Sequence, residues 1–92
     1  MAFAFLVMAT DNVYAHKKPI PLRVFHDRAQ AEGWVNDLID YHLSLPEMPV
    51  GEDREIWNDY KARLKEWGRV HPAGAEASQY QHFGVYDVPL GL

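Results

Sequence analysis

The chain reads as a single α+β domain: a small antiparallel β-sheet of three to four strands with two helices packed on it, in the order strand, strand, helix, helix, strand. Three observations predict this. An apolar run opens the chain, two later stretches repeat their apolar residues at helical spacing, and the C-terminal residues return to strand-forming types. Ninety-two residues, 48% of them hydrophobic, suit one domain spanning 1–92 with one modest core.

The run Ala2 to Thr10 is apolar on both alternating sides, Phe3, Phe5 and Val7 on one and Ala4, Leu6 and Met8 on the other. That pattern predicts a central strand covered on both faces. Asp11-Asn12 is a turn signal, Val13 to His16 suits a short extended piece, and Lys17 to Pro21 is a loop that its prolines keep from pairing internally. Leu22 to Phe25 forms the next strand, antiparallel to the first. Asp27 is a helix N-cap, with Gln30 three residues on. Ala31, Trp34, Val35, Leu38, Ile39 and His42 then recur as one helical stripe. Pro46 stops this helix near Ser44, and residues 45–51 form a stiff connection.

The second helix starts near Glu52 or Asp53, carries Ile56, Trp57, Tyr60, Leu64 and Trp67 on one face, and finds a C-cap in Gly68. Residues 72–78 are a loop. Gln79 to Leu90 is the last strand, in which Gly84 marks a bulge or a close backbone approach. Placing the doubly apolar first strand in the middle gives the sheet order 2-1-3.

The apolar opening imitates an export signal, but no Lys or Arg precedes it and Asp11 follows at once, so a secreted form is not expected. It is also half the length of a membrane span. The absence of cysteine suits a reducing cytoplasm. No catalytic residue stands out: Thr10, Ser44 and Ser78 lie outside any nucleophile elbow. His16, His26, His42, His71 and His82 show no metal-ligand spacing, and the glycines are too dispersed for a phosphate loop. No enzyme activity, metal or cofactor is therefore expected. His42 on the apolar stripe reads as a core-margin histidine with one ring nitrogen bonded.

Charge is more informative. Residues 27–59 hold nine acids, among them Asp37, Asp40, Glu47, Glu52 and Asp53, against only Arg28 and Arg54. Residues 60–71 hold Lys61, Arg63, Lys65 and Arg69 against Glu66. The acidic zone is a candidate for docking on a basic groove. Lys61, Lys65 and Arg69, four apart, form a candidate ridge for phosphates, with Lys17 and Lys18 as possible additions. The net charge of −4 argues against binding free duplex DNA. Trp34, Trp57 and Trp67 read as core, and Tyr14, Tyr41, Tyr80 and Tyr86 as interface anchors.

The opening MAFAFLVMATDN, the segment PLRVFHDRAQAEGWVNDLI leading from strand into acidic helix, and the lack of an enzyme motif resemble the short proteins that bacteriophages use against their hosts. Among these the chain most resembles phage-encoded anti-CRISPR inhibitors of the type I-F surveillance complex, over its full length and layout. The resemblance implies stoichiometric binding to Cas protein subunits, with possible contact to the guide-RNA backbone, in the cytoplasm of an infected bacterium. Target DNA would then fail to pair with the guide. A phage protein that binds another host transcription or replication factor is the alternative, and a small enzyme a third.

Overall fold

The computed structural model describes residues 2–12 and 18–91. Strands β1 (Phe3–Asn12) and β2 (Ile20–Phe25), helices α1 (Arg28–His42) and α2 (Arg54–Arg69), and strand β3 (Tyr80–Pro89) follow in the predicted order, and a 3₁₀ turn at Ala77–Gln79 leads into β3. The three strands form one antiparallel sheet in the order β2-β1-β3. The fold is α+β, with three strands.

β1 extends through the Asp11-Asn12 turn signal because Asn12 pairs with Tyr80, and that tertiary pairing outweighs local turn preference. The β1–β3 register runs unbroken past Gly84, so there is no bulge there. Gly84 is instead a close approach: a Cβ at this position would lie 3.2 Å from the Tyr86 ring. The irregularity falls on β2, where the register steps by one residue between Val7 and Met8 and Leu22 is left without a β1 partner. The step lets Leu22 turn toward the core, and Pro21 sits beside it at the sheet edge, where a missing N–H does least harm.

α1 begins as its sequence dictates. The Asp27 carboxylate accepts from the backbone N–H of Ala29 (2.7 Å) and Gln30, two of the donors that a helix start leaves unpaired. Asp27→Ala is expected to lower stability by about 1 kcal/mol; an unchanged urea midpoint would remove this cap from the account. Ala31, Val35 and Leu38 are buried with Val7, and Phe5, Leu22, Phe25, Trp34, Phe83 and Val85 pack around them. Ile39, on the edge of the same stripe, is exposed.

The second face of β1 is not covered as its pattern suggests. α1 takes the Val7 side, and on the other side Val24, Tyr86 and Val88 remain exposed around the half-buried Leu6 and Met8. α2 does not fill that space. Among the described residues it packs along no strand, and it meets the body at its C-terminal end, where Trp67 is its one buried residue. The molecule is accordingly elongated, 59 × 26 × 17 Å, with a radius of gyration of 16.2 Å. A compact chain of this length would have about 12 Å.

Candidate interaction surface

Where α2 meets the body, five rings from three parts of the chain interlock. Trp67 stacks on Tyr41 with centroids 5.0 Å apart, and its faces and edges also meet His42 and His71. Phe83 of β3 closes the group against both histidines. Polar atoms are satisfied inside the cluster, as burial requires. The Tyr41 hydroxyl donates to the Trp67 carbonyl (2.7 Å), and the Trp67 indole N–H donates to Ser44 Oγ (3.2 Å).

The two histidines face each other, His42 Nε2 and His71 Nε2 being 2.8 Å apart. His71 Nδ1 accepts from the Ala73 backbone N–H, which places the proton of neutral His71 on Nε2. That N–H donates to His42 Nε2, so neutral His42 carries its proton on Nδ1. Burial, and then the neighbouring His42, push His71 down to about 4; burial alone lowers His42. The pair is held neutral. This agrees with a core-margin His42 having one bonded nitrogen, but the partner has no sequence signal, since 29 positions separate the two.

Between the C-terminal half of α2 and the body runs a groove of about 680 Å³, walled by Leu45, Tyr60, Leu64, Trp67 and Tyr80 with Lys65 among its lining. The 3₁₀ turn closes one end. A Cβ on Gly68 would lie 3.0 Å from Ser78 Oγ, so this glycine is where the loop approaches the helix. The expected C-cap at Gly68 is corrected: α2 continues to Arg69, and Val70 caps it.

The structure separates the predicted site residues. Asp37 and Asp40 project from the outer side of α1, and Glu47 and Glu52 from the connection, all exposed and none in an ion pair among the described residues. Asp53 has a structural duty as the α2 N-cap, accepting from the Glu55 N–H at 2.9 Å. Lys61 and Lys65 are exposed and also without an ion pair among the described residues. Arg69 is taken by Glu66 three residues earlier, so the ridge narrows to the two lysines. The same contact holds the Glu66 carboxyl below its usual range. Lys18 is exposed in the approach to β2, its carbonyl accepting from the Tyr80 hydroxyl, while Lys17 and Tyr14 lie outside the described residues.

The aromatic assignments need correction. Tyr80 is 1% exposed and belongs to the core, not to an interface. Tyr41 is locked by Trp67, which leaves Tyr86 as the exposed member of that set. Trp57 is not core: it sits half-buried on the projecting part of α2, edge-on to Tyr60, with its indole N–H donating to the Gly51 carbonyl. Amphipathic spacing identified its face correctly, but among the described residues no strand or other helix packs along the outer half of that face.

Among the described residues no three or more His, Asp or Glu side chains group to hold a metal ion, and no helix is long and apolar enough to cross a membrane. Comparison with protein-family models, curated proteins and solved structures gives no match.

Proposed function

We propose that this protein is a stoichiometric inhibitor that binds Cas subunits of a type I-F guide-RNA surveillance complex in an infected bacterium and keeps target DNA from pairing with the guide. The observation that carries this reading is the uncompensated acidic face of α1. Asp37 and Asp40 are exposed and make no ion pair among the described residues, while Arg28, the cation on that helix, is committed to Glu32 and Asp87. Such a face complements a basic channel built to hold a nucleic-acid backbone, and its field accelerates encounter as well as adding specificity. Inhibition of this kind makes and breaks no bonds. It needs only a rigid display, which the packed α1–sheet core provides.

The test is co-purification with a type I-F complex followed by a target-DNA binding assay. Wild-type protein should associate and abolish DNA binding. Asp37→Lys/Asp40→Lys should weaken association about tenfold or more, with the deficit shrinking as salt is raised. Failure of the wild type to associate would overturn the proposal, and unchanged affinity of the double variant would remove the acidic face from it.

A further inference from the structure

The arm formed by the connection and α2 leaves its own apolar residues in water. Leu43 is 80% exposed, Met48 67% and Val50 98%, and Ile56 on the first turn of α2 is half exposed. Exposed apolar side chains also lie on the sheet, at Val24, Tyr86 and Val88, but those of the arm follow one another along a single connection and helix start. Pro46 and Pro49 stiffen the connection, and the Trp57 bond to the Gly51 carbonyl fixes its end on the helix, so the cluster is presented preformed.

Charge runs along this arm in one direction. The connection and the first turn of α2 carry Glu47, Glu52, Asp53 and Glu55 against Arg54, and the later part of α2 carries Lys61 and Lys65, without an ion pair among the described residues and with Lys65 lining the apolar groove. A helix of 16 residues is about 24 Å long, room enough for two such arms to overlap. Laid antiparallel about a twofold axis, the acidic apolar end of one arm meets the basic apolar groove of the other, and the same match recurs in the second half. An isologous interface demands this self-complementarity: both halves on one chain, in reversed order. The elongated shape, with apolar surface left exposed on the arm, is what such a protomer shows when taken alone.

We infer that the protein forms a homodimer through this arm. Each copy seats Met48 and Val50 on the other's groove beside Tyr60 and Leu64, with Glu47 and Glu52 against the partner's Lys61 and Lys65. Pairing consumes the free lysines and leaves Asp37 and Asp40 of both copies facing outward, so the inference does not depend on the identity of the target.

Sedimentation velocity on the purified chain across a concentration series tests it. Wild type should populate a species of twice the 10.6 kDa chain mass. Met48→Asp/Val50→Asp alters only solvent-facing side chains and should raise the dimer dissociation constant about tenfold or more with an unchanged far-UV spectrum. Lys61→Glu/Lys65→Glu and Glu47→Lys/Glu52→Lys should each weaken self-association, and mixing the two should restore a heterodimer. A wild type that stays monomeric throughout, a dimer indifferent to Met48→Asp/Val50→Asp, or the absence of charge-swap rescue would each overturn this interface.

Discussion

Trp67→Ala should remove about 3–5 kcal/mol of stability, a large share of what a domain of this size possesses. Trp67 is 9% exposed, stacks on Tyr41 and meets both histidines edge-on, and its removal opens a cavity where the C-terminal end of α2 meets the body. It also strips Ser44 Oγ of its indole donor. Urea unfolding measures the loss. Hydrogen exchange adds a spatial readout: amides of α2 should lose protection well before those of β1 and α1. A loss below about 1 kcal/mol would mean that α2 is anchored elsewhere.

Acidification should destabilise the fold through the histidine pair. His71 titrates at about 4 in the folded protein against 6.5 in the unfolded chain, because burial disfavours its cation and His42 adds repulsion. Between those values the unfolded chain binds the extra proton and the folded one does not, so stability is full above about pH 6.5 and is lost as pH falls toward 4. The shift corresponds to about 3 kcal/mol in total, of which about 2 kcal/mol is lost by pH 5, before most carboxylates titrate. His42, lowered by burial, acts in the same direction. His71→Phe keeps a ring in the cluster and removes the titration, so its stability should vary less over this window. Equal slopes for variant and wild type would refute the assignment.

What the sequence revealed and what it concealed divide along one physical line. The Asp27 cap, the Ala31, Val35 and Leu38 stripe and the central place of β1 depend on neighbours within a turn or on strand alternation, and these are legible. The pairing of His42 with His71, the burial of Tyr80 and the commitment of Arg69 to Glu66 depend on where separate elements come to rest or on which of several neighbours a long side chain chooses. Apolar patterning has a related blind spot. It marked both faces of β1 and the whole stripe of α2 as surfaces to be covered, but a pattern cannot say whether the cover comes from the same chain. Acidic Asp37 and Asp40 were legible as exposed charge; that they make no ion pair among the described residues required the structure.

The register step at Leu22 and the adjacent Pro21 bear on behaviour at high concentration. A three-stranded sheet with exposed apolar residues on one side offers its edges to a strand of another chain, and β2 is one of its two margins. There the step distorts the row of outward amides and the proline deletes a donor, while Pro89 does the same at the end of β3. Both margins are thereby poorer templates for an incoming strand than regular edges would be.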